Sequence, residues 1–364
     1  MLDPLIRGRL EQAGAQLSEQ VPLATLTTLR LGGPAAVLAE CTSTQTLVDV
    51  VRALDDARVP TLILGGGSNL VISDDGFAGV VVRVADAGVE LGEDTVLAQA
   101  GAVWDDVVAK TVAAGLGGLE CLSGIPGSTG ATPVQNVGAY GVEVGSLLRR
   151  VHLLDRITGE VRWVEPSALG LGYRTSVLKH RSDALVLAVE MTARPDGSSA
   201  PLAYRELAAA LGAQEGERRP TGEVRDTVLG LRRSKGMVLD ADDHDTWSAG
   251  SFFTNPVVAD ADLPTILDAI RARVGADVRI PQFPGEAGTK LSAGWLIERA
   301  GFGKGYPADD ARVRLSTKHT LALTNRGQAS TRDLVDLART VRDGVEAAFG
   351  VRLEPEPVAV GCVI

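Results

Sequence analysis

The chain is poor in the residues that build metal centres and disulfide frameworks. Of 364 residues only 3 are cysteine and 4 are histidine. Cys41, Cys121 and Cys362 are odd in number, far apart and without a C-x-x-C pair, so reduced thiols are expected rather than a disulfide framework or a zinc knot. His152, His180, His244 and His319 stand singly, and no metal site is expected. Long apolar runs are missing too. The richest stretch, residues 79–91, is broken by Arg83, Asp86 and Glu90, short of the roughly 18 residues of a spanning helix. The first residues carry an acid at Asp3 and no apolar segment of a secretory signal, so a cytoplasmic location is expected. There is no repeat at solenoid periods, no Gly-Lys-Ser/Thr for a P-loop and no G-x-S-x-G elbow. Positive charge is in deficit: 36 Lys and Arg stand against 46 Asp and Glu, a net charge of −10. Nucleic acid and anionic membrane surfaces are therefore poor partners, and an anionic ligand would need its cations gathered in one cleft.

What is present is core. Hydrophobic residues make up 45% and charged residues 23%, enough apolar surface for packed domains and too much for disorder. The length suggests roughly two or three domains. Two polar breaks, residues 194–201 and 214–223, are expected to split the chain near its middle. Before them β-rich runs follow closely, at 61–64, 70–72, 80–84, 95–98, 151–154, 161–164 and 185–190. One helix interrupts them at 104–114, with Asp105 and Asp106 in its first turn and Gly115 to end it. After the breaks the pattern turns helical, at 263–274, 293–300 and 331–349; the last places Leu334, Leu337, Val341, Val345 and Phe349 on one stripe and stops at Gly350. The reading is an α+β protein with a β-rich N-terminal half and a smaller mixed C-terminal domain.

Two glycine-rich loops carry the chemistry. In the first, apolar runs flank Gly65, Gly66, Gly67, Ser68, Asn69 and Leu70. Consecutive small residues can turn their N–H groups inward and hold a pyrophosphate without any positive side chain. A strand rather than a helix is expected next, so this is not a Rossmann turn, and an ordinary tight hairpin fits equally well. The second loop, residues 123–141, has almost no large apolar residue to bury and is stiffened by Pro126 and Pro133. A loop so long within a compact domain points to a ligand cradle, and Gln135, Asn136 and Tyr140 can add side-chain hydrogen bonds; a surface linker is the competing reading.

Together with residues 28–33 these loops resemble the flavin-binding half of the UDP-N-acetylenolpyruvoylglucosamine reductase family. The resemblance recurs in order at residues 172–179 (Gly-Tyr-Arg-Thr-Ser-Val-Leu-Lys), 232–235, 249–256, 290–297 and 353–356. It implies a vanillyl-alcohol-oxidase-like, PCMH-like fold: a two-subdomain FAD-binding region plus a C-terminal α+β substrate-binding domain. The expected limits are 1–84 and 85–220 for the flavin subdomains, 221–350 for the substrate domain, and a strand within 351–364 rejoining the first. It implies non-covalent FAD, NADPH as co-substrate, UDP-N-acetylglucosamine enolpyruvate as substrate, and a monomer. The FAD contacts it implies are Gly65, Gly66, Gly67, Ser68, Asn69 and Leu70 in the first loop. In the second they are Gly124, Ile125, Pro126, Gly127, Ser128, Gly130, Ala131, Gln135, Asn136, Gly138, Ala139, Tyr140 and Gly141.

Hydride arriving at an enol ether beside a carboxylate leaves an enolate, which needs a cation on the carboxylate and a proton donor at the adjacent carbon. By the resemblance Arg174 is the cation, Ser251 the donor, and Glu356 relays a proton or polarises the donor. Tyr173, Tyr204, Arg232, Lys235 and Asn255 are the implied substrate contacts. Each also has an ordinary reading. Arg174 fits a surface basic cluster with Lys179 and Arg181, Ser251 a turn serine, and Glu356 a solvated acid. Tyr204 fits packing on Leu207 and Leu211, and residues 232–235 fit a basic helix C-terminus. Pro357 departs from the β-branched residue expected of the family there, which bears on the edge geometry beside Glu356. Two other classes compete: a flavin oxidase of the same fold, for which Cys121 keeps a thioether link open, and a non-enzymatic sugar-nucleotide-binding protein.

Overall fold

In the computed structural model, which describes residues 2–179, 181–285 and 287–364, valine-rich runs build the first sheet. Its order is Gln16–Pro22, Pro34–Cys41, Phe77–Val84 and Thr61–Leu64. The strand Phe77–Val84 runs parallel to both Pro34–Cys41 and Thr61–Leu64. Its Val80, Val81 and Val82 are all buried, so the run shows no alternation, as expected of a parallel strand covered on both faces. The crossover is the helix Thr44–Asp56, where Ser43 Oγ accepts from Thr46 N at 3.1 Å and Leu47, Val48, Val50, Val51 and Leu54 turn into the core. This helix is not among the elements expected from the sequence, because its β-branched residues carry strand propensity and only the cap and a 3.6-residue period betray it.

A second sheet is antiparallel throughout, in the order Val161–Val164, Leu148–Asp155, Ala184–Thr192, Thr95–Gln99, Val89–Leu91. The helix Trp104–Ala113 follows it, with Trp104, Val107 and Val108 fully buried. Both sheets belong to one compact unit, Met1–Val21, Ala35–Gly67 and Phe77–Val238. The two polar breaks do not split that unit. They lie side by side within it: Ser199 N donates to Arg219 O at 2.8 Å, Leu202 N to Glu217 O at 2.8 Å, and Ser198 bridges Pro220. Two glycine- and proline-rich stretches satisfied each other's backbone groups, a pairing that composition does not reveal.

The second unit comprises Pro22–Pro34, Ser68–Gly76 and Leu239–Ile364. The helices Leu263–Val274, Ala293–Ala300 and Thr331–Phe349 form where the periodicity placed them. The longest begins with a capping box between Ser330 and Asp333 and stops at Gly350, φ +69°. Leu334, Val341, Val345 and Phe349 are at most 1% exposed, each contributing about 1.5–3 kcal/mol of burial. Val358–Val360 pairs in parallel with Leu70–Ile72, register Val358 to Leu70, so the end of the chain and the segment after the first glycine loop share one short sheet.

Candidate active site

In the first unit the two glycine loops meet backbone to backbone. A Cβ on Gly66 would stand 2.5 Å from Gly127 Cα, 2.7 Å from Gly127 C and 2.9 Å from Ser128 N. Gly66 is nevertheless exposed on its other side. Only a residue without a side chain lets two strands of backbone approach this closely while leaving their amides open to a ligand. Gly127 has φ +120°, a value L side chains rarely adopt, and its carbonyl accepts from Trp104 N at 3.0 Å. Gly124 N donates to Asp105 Oδ1 at 2.6 Å, and Arg225 forks both oxygens of that carboxylate at 2.6 and 2.9 Å. Neither Asp105 nor Arg225 was singled out as a site residue from the sequence, where Asp105 read only as a first-turn helix acid. Gly65 lies against Ser128, and Gly130 against Ala100. Ile125 and Pro126 are half-buried between the two glycines, whereas Ala131 is exposed.

The distal part of the second loop holds Arg174. Asn136 is 2% exposed and its amide is used inside the protein: Nδ2 donates to Glu143 Oε2 at 2.8 Å and Gly172 O at 3.1 Å, and Oδ1 accepts from Gly145 N at 2.8 Å. Asn136 thus braces the turn, joining it to the segment that carries Tyr173 and Arg174. Gly138–Ala139 pairs with Val142–Glu143 as a short hairpin whose turn is Tyr140 and Gly141, and Arg174 Nη2 donates to the Gly138 carbonyl at 2.8 Å. Arg174 has φ +54°, Asn136 +46° and Tyr140 +51°; such values in non-glycine residues gather at functional sites. Lys179 Nζ donates to Arg174 O at 2.9 Å. Gln135 is half-buried in the same turn.

Tyr140 meets Tyr204 edge to face, ring centroids 5.5 Å apart. Burial pushes the Tyr140 hydroxyl up to about 12, only partly opposed by Arg232, so it stays a neutral donor. Tyr204 is 45% exposed and immediately precedes the helix Arg205–Ala210. Arg232, in the last turn of the helix Thr221–Ser234, donates from Nη2 to Met237 O at 2.8 Å, while its Nε is buried without a partner among the described residues. Burial holds its pKa below the usual guanidinium value, with Tyr140 and Asp105 opposing. A buried cation with an orphaned donor fits a group that brings an acceptor. Lys235 Nζ is held by Glu206 at 2.7 and 2.9 Å.

In the second unit the segments carrying Ser251 and Glu356 run side by side. Glu356 N donates to Phe252 O at 2.9 Å, Thr254 N to Glu354 O at 3.0 Å, and Phe253 bridges Pro355. Asn69 Nδ2 donates to Glu356 O at 3.3 Å, and Val358 N to Asn69 O at 2.9 Å. Ser68, Asn69 and Leu70 of the first loop therefore belong with Ser251 and Glu356, whereas residues 65–67 belong with the second loop. Pro357, having no N–H, leaves this pairing intact on both sides of it. Asn255 Oδ1 accepts from Ala293 N at 2.9 Å, holding the start of the helix Ala293–Ala300.

Comparison with known proteins decides the family. A family model described as UDP-N-acetylenolpyruvoylglucosamine reductase, C-terminal domain, matches residues 242–360, and one described as an FAD binding domain matches residues 34–165. The UDP-N-acetylenolpyruvoylglucosamine reductase of Nocardia farcinica is 70% identical over 356 residues, 98% of this chain and 93% of the relative. The chain belongs to the UDP-N-acetylenolpyruvoylglucosamine reductase family. The reductase of Saccharopolyspora erythraea is 60% identical over 357 residues, 96% of this chain and 98% of the relative. A crystal structure of UDP-N-acetylenolpyruvylglucosamine reductase from Thermus caldophilus shares the fold, with TM-score 0.64, 24% identity, and coverage of 95% of this chain and 99% of that one.

As a member of this family the chain is an oxidoreductase and an FAD protein, with an FAD binding domain followed by the family's C-terminal domain. The residues present fit that cofactor: the close approach at Gly66 and Gly127 leaves room for no side chain where a diphosphate would lie. Burial, then the neighbouring Glu120, push the Cys121 thiol up to about 12. Cys121 is 1% exposed and its thiolate is disfavoured, which weighs against the thioether link that the oxidase reading left open. Among the described residues no helix is long and apolar enough to cross a membrane, and no cluster of His, Cys, Asp or Glu could hold a metal ion.

Proposed function

We propose that the chain catalyses NADPH-dependent, FAD-mediated reduction of UDP-N-acetylglucosamine enolpyruvate to UDP-N-acetylmuramate, a step in peptidoglycan precursor synthesis. The observation that carries this reading is the 70% identity to a reductase so named, extending over 98% of the chain and both of its units. A cytoplasmic monomer acting on small molecules completes the proposal.

FAD, when bound, supplies the hydride and accepts its replacement from NADPH. The protein's task is then to bind an anionic sugar nucleotide and control the charge made on it. Arg174 would pair with the enolpyruvyl carboxylate and stabilise the enolate as hydride reaches the terminal carbon; the bond from its Nη2 to Gly138 O orients its guanidinium, and Lys179 Nζ holds its backbone carbonyl. Ser251 would give its hydroxyl proton to the adjacent carbon, with Glu356 relaying a proton to the serine or polarising it. Arg232 and Lys235 offer a planar fork and a point charge to the diphosphate, and Tyr173, Tyr204 and Asn255 would order the sugar nucleotide. Residues 1–84 and 85–220 are proposed as the two flavin subdomains, in keeping with their separate sheets. Residues 221–350 are the proposed substrate domain, although the helix Thr221–Ser234 at its start packs in the first unit, which runs to Val238, and the pairing of Val358–Val360 with Leu70–Ile72 supports a return of 351–364 to the first subdomain.

The test is spectroscopic. The purified protein should absorb in the flavin bands, NADPH should bleach them under anaerobic conditions, and the enolpyruvyl sugar nucleotide should restore them with one product formed per flavin. Restoration by oxygen alone, or yellow colour retained in an acid-precipitated pellet, would instead support the oxidase reading.

A further inference from the structure

Asp105 places a carboxylate directly behind a turn that is to hold an anionic cofactor. Residues 122–127 are clamped to the start of the helix Trp104–Ala113 at three points. Trp104 Nε1 donates to Leu122 O at 3.0 Å, Trp104 N to Gly127 O at 3.0 Å, and Gly124 N to Asp105 Oδ1 at 2.6 Å. The third clamp is the only one of these that uses a charged side chain. Arg225 closes on it as a two-pronged fork, and the Arg225 side chain is only 15% exposed, so the two charges meet partly out of water. Burial alone would raise the Asp105 pKa, but the Arg225 fork, the Gly124 amide and the more distant Arg232 outweigh it and hold the carboxyl below its usual range. The helix Thr221–Ser234 that supplies Arg225 touches the turn again at Arg232, whose Nε is 3.4 Å from where a Cβ on Gly124 would stand.

We propose that Asp105 and Arg225 are positioning residues of the flavin cradle: Asp105 provides the acceptor that fixes the Gly124 peptide, and Arg225 cancels its charge so that the FAD diphosphate is not repelled. The proposal rests on the reading that the second glycine loop carries FAD. A neutral acceptor would serve the amide, but two carboxylate oxygens satisfy the amide and both prongs of the fork, which ties the turn to the helix as well. The arrangement makes an acid compatible with an anion site.

The experiment follows FAD release from diluted holoprotein by the rise in flavin fluorescence, with thermal unfolding recorded for every variant. Arg225→Met should weaken FAD about tenfold, because the carboxylate is left uncancelled beside the diphosphate. Adding Asp105→Asn should restore affinity to within about threefold of the parent, since the amide oxygen still accepts from Gly124 and no charge remains. Arg225→Met with Asp105→Ala should stay about tenfold weaker, having no acceptor. A pair that only stiffened the unit would leave both double variants equally impaired, and that result overturns the proposal. Should Arg225→Met fail to fold, Arg225→Lys decides: affinity within about threefold supports charge cancellation, and a tenfold loss overturns it. Gly66→Ala separates the two levels of inference. If it leaves FAD binding unchanged the cradle reading itself fails, whereas if it weakens FAD and the Arg225 variants do not, only the role of the pair is lost.

Discussion

Gly66→Ala adds a single methyl group at the one place where both glycine loops must give way. The new Cβ would lie 2.5 Å from Gly127 Cα, 2.7 Å from Gly127 C and 2.9 Å from Ser128 N, all backbone atoms that no rotamer change can move aside. Ordinary carbon contact begins near about 3.5 Å, so the loops must part by about 1 Å. Gly127 is not free to follow, because its carbonyl holds Trp104 N at 3.0 Å and the next residue bridges Val103. Overpacking of this kind costs about 1–3 kcal/mol. If the loops relax when the cofactor leaves, the whole of that strain falls on the holoprotein, and FAD should bind about 5- to 150-fold more weakly. Gly230→Ala is the matched control: it lies inside the helix Thr221–Ser234 with nothing within 4 Å of its would-be Cβ. There the same methyl group should stabilise the fold by about 0.5–1 kcal/mol and leave FAD affinity alone. The assay is FAD fluorescence on dilution, paired with thermal melting of apo- and holoprotein. A Gly66→Ala protein that melts normally and retains FAD as tightly as the parent would refute the reasoning, since it would mean that the two loops do not form the cofactor's seat.

Three further outcomes follow from the site. Ser251→Ala should leave NADPH bleaching of the flavin intact while turnover of the enolpyruvyl substrate falls about 10²–10⁴-fold, as stopped-flow measurement of each half-reaction would show; equal losses in both contradict the assignment. Glu206→Gln releases Lys235 from its 2.7 Å ion pair, so KM for the sugar nucleotide should fall about threefold with kcat unchanged, the modest size reflecting an exposed pair. An unchanged KM would mean that Lys235 does not reach the diphosphate. Asp245 concerns acid stability. Burial would raise its pKa, but the Thr317 hydroxyl and amide and Arg326 outweigh it and hold the carboxyl below its ordinary value. A depressed folded-state pKa gives stability that is present above the unfolded value of about 3.9 and is lost as pH falls through the lower folded value. Asp245→Asn should therefore cost about 2–3 kcal/mol in urea unfolding at pH 7 and progressively less as pH falls below about 3.9; an equal loss at every pH would point to packing instead.

Element positions were legible wherever one physical signal dominated. The helix Thr331–Phe349 announces itself through a cap, a stripe and a terminal glycine, and it forms at those limits. The helix Thr44–Asp56 stays hidden behind Val48, Val50 and Val51, which carry strand propensity until tertiary packing overrides it. The glycine loops stood out in the sequence because so many small residues have no core to fill, yet nothing local indicates that Gly66 faces Gly127. That contact depends on how residues far apart in sequence fold together. Asn136 shows the limit of reading by residue type: an amide suited to a ligand is spent on Glu143, Gly172 and Gly145. Arg225 was invisible for the opposite reason. Its partner Asp105 is 120 residues away, and only the fold brings them together.

The acidity of the chain then ceases to conflict with an anionic cofactor. Net charge acts over a Debye length of about 8–10 Å, so most of the excess acid on the surface is screened from any one site. What matters is the charge beside the loops, and there the acids are engaged: Asp105 by Arg225 and Gly124, Glu143 by Asn136, Glu206 by Lys235. Arg232 stands among them with an orphaned Nε, and Tyr140 is kept neutral by burial. The charge beside the loops is thereby set by these local pairs rather than by the overall count of charges. On these terms net −10 is compatible with an anionic cofactor, because two of the three carboxylates beside the loops, Asp105 and Glu206, already face a cation of their own.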